Sequence, residues 1–295
     1  MTALRHAVVA GGGGAVGALF AALLRDSGVT VTAVDLGPGD GDVLQGDITA
    51  PDAVVAAAVA AADLVVLAVP EPVALRAVKP LAGLLGPGAV LADTLSVKSR
   101  LSARLTDLPG EVQVVGLNPM FAPDLGMAGR PVAAVVARGG PGVDALLDLV
   151  RRWGGRVVRC TSGEHDATAA ATQALTHATV LSFGLALARL GVPADRLAAT
   201  APPPHLTLLA LLARITSGRP EVYLDVQEAN PHAAGARQAL ADGLRAFAAA
   251  VEEGEAGVAA AFGEIRALLG DRCAEHERRA HDVFTTMHCH AEELR

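Results

Sequence analysis

The sequence predicts an α/β chain: a doubly wound parallel sheet of Rossmann type over residues 1–160, then an all-helical segment over 161–295. Three observations predict it. Short Val/Leu/Ala runs without polar alternation, as in strands buried on both faces, alternate with helix-length segments through the first half. A glycine-rich turn follows the first of these runs. Beyond Cys160 the strand-like runs stop, and Ala/Leu-rich stretches are broken only by Pro and Gly.

The first strand, HAVVAG, leads into AVVAGGGGAVG, in which Gly12, Gly14 and Gly17 have the G-x-G-x-x-G spacing and open the helix ALFAALLRDSG. That pattern suits a dinucleotide. The first glycine allows the turn, the second lets a pyrophosphate approach the backbone, and the third lets helix and strand pack closely. Ala15 and Val16 bring free N–H groups and a positive dipole end to the phosphates. The second strand, VTVTAVD, ends in Asp35, whose carboxylate would accept from the ribose hydroxyls and repel a 2′-phosphate. No Arg follows it, so NAD is expected over NADP. The strand DLVVLAVP brings Val69 and Pro70 to the same edge. AVLADTLS then leads into DTLSVKS, residues 93–99, where Ser96 and Lys98 can orient polar groups near a nicotinamide; Ser96 can equally cap the helix VKSRLSARL. VQVVGLNP runs into GLNPMFAPD, residues 116–124, and VAAVVAR and GRVVRC complete the sheet.

In the second half, Thr161 and Glu164 have capping-box spacing. Breaks at GVPAD, APPPH, TSGRPE and ANPHAAG separate the helices. Residues 167–188 carry no charge and are long enough to span a membrane, but alanine dominates, and Gln173 and His177 lie within; a buried helix is the better reading. Such alanine-rich helices expose apolar faces, which points to a homodimer sharing the helical segment.

The net charge of −7 argues against nucleic-acid and anionic-membrane partners, so an anionic substrate must be held by a few local cations. Of the 24 Lys and Arg residues only Lys79 and Lys98 are lysines. Three cysteines without paired spacing, and an N-terminus lacking signal-peptide character, suggest the cytoplasm. His281, His288, Cys289 and His290 fit no standard zinc spacing, and no metal is expected.

GLNPMFAPD, DTLSVKS and EHDATAAATQALTHA together resemble the prephenate dehydrogenases over nearly the whole chain. The resemblance implies a nucleotide-binding domain joined to a helical dimerisation domain, with NAD as cofactor and a small dicarboxylate as substrate. It assigns Ser96 to supporting the catalytic position, Asp124 to the pocket lining, Gln173 and His177 to the substrate, and Arg214 to a substrate carboxylate, with Tyr223 supporting the last alignment. An arginine suits that task through its bidentate fork. One position departs from the pattern: where the family places a histidine that accepts the proton of the substrate's 4-hydroxyl, this chain has Asn118.

An amide is no base at neutral pH, and losing a general base typically costs ~10² to 10⁴ in rate. Asn118 therefore implies either a non-catalytic NAD-binding regulatory protein or a substrate that needs no base. A neutral amine at C4 forms an iminium without losing a proton, and an amide carbonyl can accept its N–H. The expected reaction is thus oxidative decarboxylation of the 4-amino-4-deoxy analogue of prephenate. Prephenate itself remains an alternative if His177 supplies the base. A β-hydroxyacid dehydrogenase is disfavoured, because the helical half has no lysine.

Overall fold

The structure is a computed structural model that describes residues 4–37, 43–105 and 108–293, with side chains to residue 286. The chain divides into two compact units, Met1–Ala169 and Ala170–Arg295.

Among the described residues, the first unit is built on eight strands: β1 (His6–Ala10), β2 (Thr30–Asp35), β3 (Val43–Gln45), β4 (Leu64–Leu67), β5 (Val90–Asp93), β6 (Gln113–Pro119), β7 (Pro131–Arg138) and β8 (Arg156–Arg159). Their order is β3-β2-β1-β4-β5-β6-β7-β8. Helices α1 (Ala15–Asp26), α2 (Ala53–Ala60), α3 (Glu71–Ala82), α4 (Ser99–Ser102), α5 (Pro141–Arg152) and α6 (Ser162–Ala169) complete the unit. Successive residues of β1 enter different cores. Val8 and Ala10 join Val55, Val78 and Leu81, whereas Ala7 and Val9 join Phe20, Leu24, Leu146 and Leu147. This is why the strands read as unbroken apolar runs: both faces are covered by helices.

The order reverses between β1 and β4, both parallel to each other. Such a switch opens a crevice at the carboxyl edge, where open α/β sheets take their ligands. Two features refine the expected sheet. β3 is a three-residue edge strand, parallel to β2, that the apolar pattern did not reveal. β7 runs antiparallel to β6, because the short turn through Pro123–Leu125 replaces the crossover helix that a parallel pair needs.

The capping box forms as expected. Thr161 N donates to Glu164 Oε2 at 2.8 Å, and Glu164 N donates to Thr161 Oγ1 at 3.2 Å. The second unit starts in a π-helical turn, Ala170–Ala174. It continues through α7 (Leu175–Leu190), α8 (Ala194–Thr200), α9 (Pro203–Thr216), α10 (Pro220–Ala229), α11 (Ala233–Glu252), α12 (Glu255–Leu269) and α13 (Cys273–Glu293). The four expected breaks fall at their Pro/Gly segments, and Gly191 closes α7 in the left-handed region at φ 66°; two further breaks, at Gly254 and Gly270, were not expected.

The buried-helix expectation for 167–188 is not met by the single chain: Val180 is the only fully buried residue of α7. The unit's buried core is small, Ala174, Val226 and Ala233, while large apolar side chains such as Leu190, Leu244 and Leu268 face outward. Among the described residues no single helix is long and apolar enough to cross a membrane. The stretch 162–190 passes by composition only together with 194–200, across a 114° bend.

Candidate active site

The dinucleotide cradle forms at the carboxyl ends of β1 and β2. The left-handed residue is Gly11 (φ 80°), one position before the G-x-G-x-x-G triplet, and a Cβ there would lie 2.1 Å from Ala68 O. Gly12 is required for packing rather than for the turn, since its Cβ would sit 2.6 Å from that of Ala33. Gly17 lies against Gly11, whose carbonyl oxygen would be 2.0 Å from an added Cβ. A Cβ on Gly14 would meet only Gly11 O, at 3.3 Å. Gly14 is the N-cap of α1, which has neither a capping side chain nor an acid in its first turn. Gly13, Gly14 and Ala15 are exposed and Val16 half-buried, so the helix start presents its N–H groups to an anion.

Asp35 is tied into this loop: Oδ2 accepts from Gly13 N at 3.0 Å and Oδ1 from Leu36 N at 2.8 Å. Half-buried Val69 and exposed Pro70, the N-cap of α3, follow β4 across the switch point. These residues fit a dinucleotide, with phosphates at the start of α1 and a ribose at Asp35.

Farther along the same edge, β5 and β6 end in a buried polar network. Asn118 is only 2% exposed, and its Nδ2 lies 3.0 Å from His165 Nε2 on α6. His165 Nδ1 lies 2.8 Å from Asp166 Oδ1. The same carboxylate accepts from Lys98 N at 2.8 Å and Ser99 N at 2.9 Å, and so caps α4 from a distant helix. Burial alone would raise the Asp166 pKa, but the hydrogen bonds from His165, Ser99 and Lys98 hold it at about 2. Asp166 is therefore a carboxylate at neutral pH and only accepts. Nδ1 of His165 therefore faces Asp166 as a donor, and Nε2 faces the amide of Asn118. Among the described residues the Asn118 carbonyl oxygen has no hydrogen-bond partner.

Several sequence-predicted residues occupy other settings. The helix-cap reading of Ser96 is overturned, because Asp166 does the capping; Ser96 is half-buried two residues upstream. Lys98 is 1% exposed. Its ammonium binds Asp93 and donates to Leu117 O at 2.9 Å, joining the ends of β5 and β6. Burial lowers its pKa while Asp93 opposes that shift. Asp124 is exposed in the turn between β6 and β7. The sequence reading missed His165, Asp166 and Asp93. A His-Asp pair followed by an apolar helical run was the available signal, but its partners are 47 to 68 residues away.

In the second unit, Gln173 lies in the π turn, and His177 follows in the first turn of α7. Among the described residues, Gln173 Oε1, His177 Nδ1 and His205 Nε2 are buried without a hydrogen-bond partner. The His177 ring meets Tyr223 edge-on, with centroids 4.9 Å apart, and burial lowers its pKa. Orphaned polar atoms of this kind cost free energy unless a ligand or water meets them. Arg214 is exposed in the last turn of α9. The side chains of His288, Cys289 and His290 lie outside the described residues.

Residues 20–132 match the family model of the prephenate dehydrogenase nucleotide-binding domain, a range that begins after the glycine loop. The chain is 56% identical over 286 residues to a 4-amino-4-deoxyprephenate dehydrogenase of Streptomyces pristinaespiralis, covering 95% of this chain and 97% of that protein. It is 33% identical to the T-protein of Enterobacter agglomerans over 76% of this chain, and spans 56% of that longer protein. Among solved structures, Aquifex aeolicus prephenate dehydrogenase superposes with a TM-score of 0.68 at 19% identity, over 90% of this chain and 96% of that one. Synechocystis arogenate dehydrogenase does so with a TM-score of 0.64 at 18% identity, over 93% and 100%. The chain belongs to the prephenate dehydrogenase family of NAD-dependent oxidoreductases.

Proposed function

We propose that the chain catalyses NAD-dependent oxidative decarboxylation of 4-amino-4-deoxyprephenate to 4-aminophenylpyruvate, a step toward an aminophenylalanine of the kind used in antibiotic biosynthesis. The observation that carries this reading is Asn118, buried where the family has a proton-accepting histidine and with its carbonyl oxygen free to accept. The 56% identical relative of that name supports it.

NAD, when bound, supplies the acceptor to which C4 gives up its hydrogen with both electrons. The chain's own task is to hold the substrate as a free amine. Its nitrogen lone pair fills the vacancy at C4 as a C=N bond, and no proton need leave at that moment. The bond from C1 to its carboxylate then breaks. CO₂ departs, the electron pair enters the ring, and the nitrogen recovers its own pair as the ring becomes aromatic. Asn118 Oδ1 accepts one amine N–H and thereby aims the lone pair at C4. An imidazolium in this place would instead repel an ammonium substrate.

The supporting roles are part of the proposal. Ser96 and Lys98 orient polar groups of the substrate and nicotinamide beside Asn118, and the contacts of Lys98 with Asp93 and Leu117 O hold the ends of β5 and β6 in register. Arg214 binds a substrate carboxylate, Gln173 and His177 meet its remaining polar groups, and Asp124 lines the entrance. The cradle of Gly12, Gly14, Ala15, Val16, Gly17, Asp35, Val69 and Pro70 holds NAD. The functional assembly is a homodimer through the helical segment, which is where the outward Leu190, Leu244 and Leu268, 71%, 70% and 85% exposed, become covered. A groove of about 440 Å³ in the helical segment is lined by Phe183, Leu240 and Leu244.

The test is purified protein with NAD and 4-amino-4-deoxyprephenate, following NADH and identifying the ketoacid product. Stoichiometric NADH, CO₂ and 4-aminophenylpyruvate support the proposal. An absence of turnover with NAD still bound would favour a regulatory binding protein.

A further inference from the structure

We propose that His165 is a positioning residue which fixes the orientation of the Asn118 amide, and through it the preference for an amine over a hydroxyl at C4. This rests on the reading that Asn118 receives the substrate's amine. A side-chain amide is ambiguous by nature: rotated by half a turn, it presents NH₂ where it had presented C=O. At position 118 the choice is made by a chain of three groups. Asp166 is anchored by the backbone N–H groups of Lys98 and Ser99 and by the His165 ring. His165 in turn offers Nε2 to the amide at 3.0 Å. All three are buried, at 2%, 3% and 0% exposure for Asn118, His165 and Asp166, so no water competes for these bonds.

The consequence for substrate choice follows from lone pairs. With Nδ2 committed to His165, the substrate meets an acceptor, and the amine keeps its one lone pair for C4. With the amide reversed, NH₂ would donate to that lone pair and withdraw it from the reaction. A hydroxyl oxygen has a second lone pair and loses less. The orientation therefore favours nitrogen specifically, rather than any polar group.

Two substitutions separate positioning from mere packing. His165→Asn retains a donor near the Nδ1 position, facing Asp166, but has nothing where Nε2 was. His165→Gln places its amide oxygen close to the Nε2 position and can still accept from Asn118. The readout is the ratio of kcat/KM for 4-amino-4-deoxyprephenate over prephenate, with NADH affinity and the thermal midpoint measured alongside. His165→Asn should lower the ratio roughly 3- to 10-fold, the worth of one ordinary hydrogen bond. His165→Gln should restore most of it. Equal ratios in both variants and the wild type overturn the positioning role while leaving the proposed function intact. A wild type that prefers prephenate overturns both.

Should neither variant fold, the ¹⁵N spectrum of histidine-labelled wild type decides. The proposal requires His165 protonated at Nδ1 and bare at Nε2 at assay pH. A proton on Nε2 overturns it.

Discussion

Asp166→Asn should destabilise the first unit by about 2 kcal/mol at neutral pH. The native carboxyl is held at about 2 against an ordinary 3.8, and Asp166 is fully buried. At ~1.36 kcal/mol for each tenfold change in proton affinity, the native state favours the carboxylate over its neutral form by about 2 kcal/mol. Asparagine forfeits that preference, and its NH₂ cannot accept from Lys98 N, Ser99 N and His165 together. The sign with pH is fixed by the depressed native value. The wild-type advantage is complete above about pH 4 and lost as pH falls toward 2. Trp153, the single tryptophan, donates to Ser27 Oγ at 2.8 Å within this unit, so its fluorescence in urea reports the relevant unfolding. A gap near 2 kcal/mol at pH 7 that narrows by pH 3 is expected. A gap below ~0.5 kcal/mol at pH 7, the scatter of ordinary surface substitutions, would refute the reasoning.

Gly17→Ala places a methyl 2.0 Å from Gly11 O, so α1 must separate from the loop, and NADH binding followed by fluorescence should weaken at least ~10-fold; unchanged affinity would mean the cradle lies elsewhere. Burial depresses the His177 pKa, so the unfolded chain takes up its proton first as pH falls below about 6.5. Between pH 8 and 5.5 the wild type should therefore lose more stability in urea than His177→Gln, and parallel losses would count against a buried neutral ring. Leu268→Glu combined with Leu244→Glu puts charge on two strongly exposed apolar sites, and sedimentation should show a dimer becoming a monomer. An undisturbed dimer would locate the interface on another surface.

The parts of this protein that were legible in its sequence are those governed by local rules. β1, the glycine loop and α1 follow one another with a spacing that has one physical explanation, and the Thr161–Glu164 box closes over three residues. The parts that were not legible depend on distant partners. Ser96 stood in the usual place for a cap, but Asp166, 68 residues beyond Lys98, supplies it. Nothing local to Lys98 announces its buried bond to the β5 carboxylate Asp93. The left-handed glycine is Gly11 rather than Gly12, since four consecutive glycines hide which one carries the turn. β3 is too short, at three residues, to show any periodicity. Asn118 was conspicuous only against the family pattern, while the geometry that gives its amide a direction lay in a helix 47 residues away.

The central claim is that nitrogen at C4 needs an acceptor and no base. It is tested most directly by kcat/KM for 4-amino-4-deoxyprephenate and prephenate, measured on the wild type and on Asn118→His. The account predicts that the wild type favours the amine and that the histidine variant moves toward the hydroxyl substrate, by up to the ~10² to 10⁴ a general base is worth. A wild type that turns over prephenate faster, or a ratio that Asn118→His leaves unmoved, would contradict it.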